Sequence, residues 1–81
     1  MAARVTIGEF STMTRLTRKA LRLYHDAGLL EPADVDSSSG YRYYDVSQVA
    51  RARMIKRLRD LDMPLPEVRS YLTAENDSVR S

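Results

Sequence analysis

The chain has 81 residues, 30% of them charged, a formal net charge of +2 and no cysteine. Such a length allows one small domain near the lower limit for independent folding, and without thiols neither disulfides nor a thiolate metal site can reinforce its core. The opening stretch MAARVTIGEF holds no long apolar run, so it indicates neither a signal peptide nor a membrane span, and a cytosolic protein is expected.

Thr6 and Glu9 stand at capping-box spacing, in which each side chain can satisfy a backbone N–H of the other residue. Ile7, Phe10 and Met13 follow at intervals of three, which predicts a short helix with one apolar stripe. Thr14-Arg15-Leu16 carries no helical signal, and Thr17 reads as a second N-cap, so two helices joined by a tight turn are expected. In the second, Arg18 to Ala27, the wheel places Ala20, Leu21, Leu23, Tyr24 and Ala27 on one side and Arg18, Lys19, Arg22, His25 and Asp26 on the other. Gly28 suits the left-handed position that ends this helix. Pro32 bars a helix from running through it. Ala33-Asp34-Val35, the turn Asp36 to Gly40 and Tyr41 to Tyr44 then read as a hairpin rich in strand-forming aromatics. Asp45 and Gln48 repeat the capping-box spacing and open the longest helix, about Val46 to Asp62. Its apolar stripe is read as Val46, Ala50, Met54, Leu58 and Leu61, flanked by Val49 and Ile55. Pro64 starts a fourth helix, about Leu65 to Thr73, and the polar tail TAENDSVRS (73–81) is expected to fray. These elements describe a single mainly α domain over 1–81: a winged helix-turn-helix with a small two-stranded β-hairpin wing and two further helices.

Charge is distributed unevenly along these elements. Arg15 to His25 contains four bases and no acid, Asp26 to Gly40 four acids and no base, and Arg51 to Arg59 five bases and no acid. Two basic blocks separated by an acidic one give the field of a polyanion binder, with two solvated helix faces as the alternative reading. Placement of Arg18, Lys19 and Arg22 on the helix after a tight turn favours DNA. Tyr24 admits two readings, core residue or phosphate contact from the margin. In the wing, alternation puts Tyr41 and Tyr43 on one face and Arg42 on the other. The tyrosines are then expected to brace the wing on the long helix while Arg42 points at phosphate oxygens.

Other chemistries find little purchase. One histidine, no Gly-rich phosphate loop and no paired carboxylates leave no nucleophile–base constellation, so no enzyme and no cofactor are expected. DVDSSSGYRYYD has acids at alternate positions, as a calcium loop does. Its glycine falls one place late, at Gly40, and an aspartate closes it, which argues against a metal.

The segments TIGEF, TRKALRLYHDAGLL and GYRYY, in this order and spacing, resemble the DNA-binding domain of the mercury-resistance-regulator (MerR) family of transcription factors. The likeness extends over about 5–72 and is nearest to the branch that senses multidrug-type ligands. It implies that Thr17, Arg18, Lys19, Arg22 and Tyr24 lie on or beside a recognition helix in the major groove. It also implies that Arg42, with Tyr41 and Tyr43 beside it, contacts backbone phosphate from the wing, and that Arg59 clamps the backbone further out. Leu23 stands where the family often has a second tyrosine, and His25 where it often has an acid.

The resemblance implies sequence-specific binding of double-stranded DNA for transcriptional regulation. The parent regulator would be a homodimer that meets a palindromic promoter operator and RNA polymerase there, and remodels the promoter spacer. No dimerising helix or effector domain is legible in the 81 residues, so this piece is expected to be monomeric and to grip one half-site. An architectural or excisionase-like DNA adaptor with the same winged fold is the alternative.

Overall fold

The computed structural model describes residues 3–80. Strand β1 (Arg4–Thr6) runs directly into helix α1 (Ile7–Thr14), followed by α2 (Arg18–Asp26) and the strands β2 (Asp34–Val35) and β3 (Arg42–Asp45). A 3-10 turn (Val46–Gln48) then opens α3 (Val49–Asp60), and α4 (Leu65–Arg80) follows. The sheet has three strands rather than two, in the antiparallel order β1-β3-β2. The expected hairpin is present, and the N-terminal strand adds itself to the other edge of β3, with Val5 opposite Tyr44. An exposed ion pair, Arg4 Nη1 to Asp34 Oδ2 at 2.6 Å, joins the two outer strands.

Local side-chain chemistry sets where the elements begin and end. Thr6 accepts from the Glu9 N–H at 3.1 Å and Glu9 accepts from the Thr6 N–H at 2.8 Å, completing the capping box that starts α1. Thr17 caps α2 by accepting from the Ala20 N–H. Gly28, at φ +73°, closes α2 in the left-handed region. Asp45 and Gln48 form the second capping box, at the head of the 3-10 turn. The turn between α1 and α2 is held from inside: buried Thr14 donates to the Phe10 carbonyl and accepts from the Leu16 N–H, while Ser11 donates to the Leu16 carbonyl. Asp36 accepts from the Ser38 and Ser39 N–H groups and from the Ser38 hydroxyl, so its carboxylate organises the hairpin loop.

The core joins all four helices to the wing. Phe10, Leu21, Tyr44, Ala52, Ile55 and Val68 are fully buried, with Leu16, Tyr24, Leu29, Leu30, Leu58 and Leu72 around them. The Phe10 and Tyr44 rings stack with centroids 4.4 Å apart and planes 7° off parallel. Tyr44, on Arg42's own face of the strand by alternation, is therefore what fastens the wing to the helices. Tyr41 and Tyr43 do lie side by side, their centroids 6.0 Å apart, but Tyr41 is 57% exposed.

Three helical expectations change. Leu23 is 44% exposed: α2 packs through Leu21 and Tyr24, one turn apart, and Leu23 falls just outside that arc. On α3 the buried residues are Ala52, Ile55 and Leu58, whereas Val46, Ala50 and Leu61 are exposed. The three-residue 3-10 turn puts Val46 out of phase with the α-helix behind it, and the small residue Ala52 is fully buried. Finally, the polar tail continues α4 as helix to Arg80; Ser81 lies outside the described residues.

Two consequences are measurable by thermal unfolding. The Tyr44 hydroxyl is buried with no hydrogen-bond partner among the described residues, and burial, offset partly by the Arg42 charge, raises its pKa above the ordinary phenol value. Tyr44→Phe is expected to hold or raise Tm, while Tyr44→Ala, which deletes the ring stacked on Phe10, costs about 3–5 kcal/mol. Secondly, the N–H and hydroxyl groups around Glu9, Asp36 and Asp45 hold these carboxylates below their ordinary values of 4.5, 3.8 and 3.8. A carboxylate depressed in the folded state stabilises fully above its unfolded pKa and loses that contribution as pH falls through its folded pKa. Tm is therefore expected to drop below about pH 4.5 and to fall less steeply with pH in Asp45→Asn.

Candidate nucleic-acid interface

Helix α2 carries an exposed cationic face. Thr17, Arg18, Lys19, Arg22 and Asp26 are all exposed, and the first turn contains no acid. Placing Arg18 and Lys19 at a helix N-terminus opposes the macrodipole, at about 0.3–1 kcal/mol per exposed charge. That sacrifice raises the positive potential where an anion would meet the helix end. Among the described residues the ion pairs are Arg4–Asp34 and Lys56–Asp60, so the cations of α2 are not neutralised by carboxylates.

Two further contacts define the surface. The Arg18 guanidinium lies over α1: a Cβ built at Gly8 would come within 2.8 Å of its Nη2. Glycine in the first turn of α1 is thus what gives this side chain its seat. Arg22 and Arg42 line one shallow cleft together with Ile7, Gly40 and Tyr41, and no carboxylate is in that lining. Like charges converge there without an internal counter-ion, which is a stable arrangement only beside an external anion or bulk water.

The remaining expected residues separate. The Thr17 hydroxyl oxygen accepts from the Ala20 N–H, a bond that does not use its O–H. Tyr24 is 5% exposed and its ring belongs to the core cluster, so any phosphate contact would come from its hydroxyl at the margin. Arg59 is half-buried and donates from Nη1 to the Met63 carbonyl at 3.0 Å, where it supports the turn after α3. Much of the second basic block is similarly engaged. Arg51 donates to the Leu29 carbonyl at 2.9 Å, Arg53 to the Met13 carbonyl at 3.2 Å, and Lys56 pairs with Asp60 at 2.9 Å. Arg51 and Arg53 thus act as struts from α3 to its neighbours, while Lys56 pairs within α3 itself. Missing from the expectation were Gly8, whose role needs a tertiary contact to be seen, and Leu23, which its apolar character assigned to the interior.

Fold and surface together define a winged helix-turn-helix domain. Residues 5–75 match the family model described as the MerR HTH family regulatory protein. The multidrug-efflux transporter 1 regulator of Bacillus subtilis is 41% identical over 74 residues, which cover 91% of this chain and 27% of that protein. The regulator CueR of Vibrio cholerae is 36% identical over 77 residues, 95% of this chain and 55% of its own length. The cryo-EM structure of the EcmrR–DNA complex in EcmrR-RPo superposes with a TM-score of 0.81 at 36% identity, covering 89% of this chain and 27% of that one. PbrR691 of Ralstonia metallidurans CH34 in complex with lead(II) gives 0.77 at 33% identity, with 91% and 57% covered. The chain belongs to the MerR HTH family and corresponds to the winged helix-turn-helix part of these longer regulators.

Gly8→Ala offers a clean test of the Arg18 seat. Alanine is the better helix former, and the atom it displaces is the end of a flexible side chain. Tm is expected to stay level or rise, while affinity for duplex DNA in an anisotropy titration falls severalfold.

Proposed function

We propose that this domain binds double-stranded DNA sequence-specifically as the grip of a transcriptional regulator. The observation that carries the proposal is the cleft in which Arg22 of α2 and Arg42 of the wing converge without a counter-ion. A phosphate oxygen there would meet the Arg42 guanidinium within the field of Arg22. Arg18, Lys19 and Arg22 project from α2 as base readers, for which bidentate contact of arginine with guanine is the favoured chemistry. Thr17, Tyr41 and Arg42 act as positioners on the backbone. Arg59 keeps donors beyond the one given to Met63, since a guanidinium has five, and these can serve a phosphate further along the duplex.

In the full-length regulator, two such domains would meet two half-sites of a palindromic operator as a homodimer, with RNA polymerase at the same promoter. Bending or untwisting the spacer would cost a few kcal/mol, offset by the contacts that the deformation allows. This setting is a bacterial cytosol and the role is binding rather than catalysis. No helix among the described residues is long and apolar enough to cross a membrane. The regulators named above favour this reading over an architectural adaptor.

Selection of bound sites from random duplexes tests the proposal directly. A recovered motif with two-fold symmetry is expected from a tethered pair of domains and its half-motif from the single domain; recovery of no motif would refute it. Arg42→Ala is expected to weaken binding to every duplex by a similar factor. It should also reduce the slope of log K against log salt by about 0.9, the value of one phosphate contact.

A further inference from the structure

Leu23 presents an apolar side chain, 44% exposed, on a helix whose other exposed side chains are Arg18, Lys19, Arg22 and Asp26. A lone exposed leucine is common on protein surfaces, so the weight falls on its position. Around the wheel of α2 the exposed residues run Arg18, Arg22, Asp26, Lys19, Leu23, and the buried arc begins beyond it with Ala27 and Ala20. Leu23 thus stands at one margin of the surface proposed to enter the major groove, one helical turn after Lys19. It contributes nothing to the core cluster.

An isobutyl group cannot donate or accept a hydrogen bond. In the major groove the apolar group available to it is the C5-methyl of thymine. That methyl projects from the base edge toward the flank of the groove, where the margin of an inserted helix runs. The centre of the helix face, with its arginines, is left for the hydrogen-bonding edges. We propose that Leu23 is a specificity residue that seats on a thymine methyl and selects thymine at one position of each half-site. This rests on α2 being the recognition helix.

The test removes the methyl alone. Starting from the selected duplex, each thymine is replaced in turn by deoxyuridine, which keeps every hydrogen-bonding group, and affinities are measured for the 81-residue chain and for Leu23→Ala. One deoxyuridine position per half-site is expected to weaken the wild type by about threefold to tenfold, as burying a methyl group would predict. The same replacement should leave Leu23→Ala nearly unaffected. Because the deoxyuridine series uses unmodified protein, it does not depend on the variant's folding, which thermal unfolding checks separately. Equal deoxyuridine costs in both proteins at every position, or no cost in either, would overturn the proposal while leaving DNA binding intact. Failure of the wild type to select any duplex would overturn both. A change in self-association of Leu23→Ala without any change in DNA binding would assign the side chain to a protein contact instead.

Discussion

The stacked rings of Phe10 and Tyr44 fix the relation between the two parts of this domain that must act together. Phe10 belongs to the first helix of the helix-turn-helix pair, and Tyr44 to the central strand of the wing. With both rings fully buried and nearly parallel, β3 cannot rotate against α1 without opening the centre of the core. Because the turn after α1 is pinned through Thr14 and Ser11, the orientation of α2 follows from the same contact. The convergence of Arg22 and Arg42 on one cleft is thus a product of interior packing, two residues removed along the strand from the ring that enforces it.

Positive charge is used in two physically different ways. Arg51 and Arg53 give donors to backbone carbonyls near the ends of α2 and α1, and Arg59 to the turn after α3, stitching α3 to its surroundings while keeping charge near the surface. The cations of α2 lie on a helix end that would itself prefer anions, and they do not find carboxylates among the described residues. A sequence optimised for stability alone would place an aspartate or glutamate in that first turn. Its absence marks the surface that is specified by something outside the chain.

The parts of this structure legible in the sequence were those governed by local chemistry. Thr6 with Glu9, Thr17, Asp45 with Gln48, and Gly28 each announce a helix end through a side chain and a backbone group a few residues apart, and each end lies where those residues put it. The parts that depend on a distant partner were not legible. β1 is three residues long and is a strand because Tyr44 and its neighbours lie alongside it. The inward side of α3 is partly legible: Leu58 and Ile55 are buried as their bulk suggests, but Ala52 is buried too and bulk does not mark it. Leu23, conversely, is bulky and exposed. For the interface, the identity of the exposed cations on α2 could be read from their spacing, whereas the seat of Arg18 over Gly8 and the burial of Tyr24 required the packed structure.

The wing is closed at its base and open at its tip. Asp36 and Tyr41 join through a backbone hydrogen bond of 2.8 Å, and the Asp36 carboxylate gathers the next residues. Ser38, Ser39 and Gly40 are all bonded to Asp36 yet exposed, and a side chain at Gly40 would meet nothing within 4 Å, although its φ of +76° keeps that residue suited to glycine. Residues inserted at Ser38 would disturb its bonds to Asp36 but extend outward, away from the buried rings. The tip is thereby decoupled from the scaffold. A longer or shorter tip would change the reach of the wing while the folded body beneath stays the same.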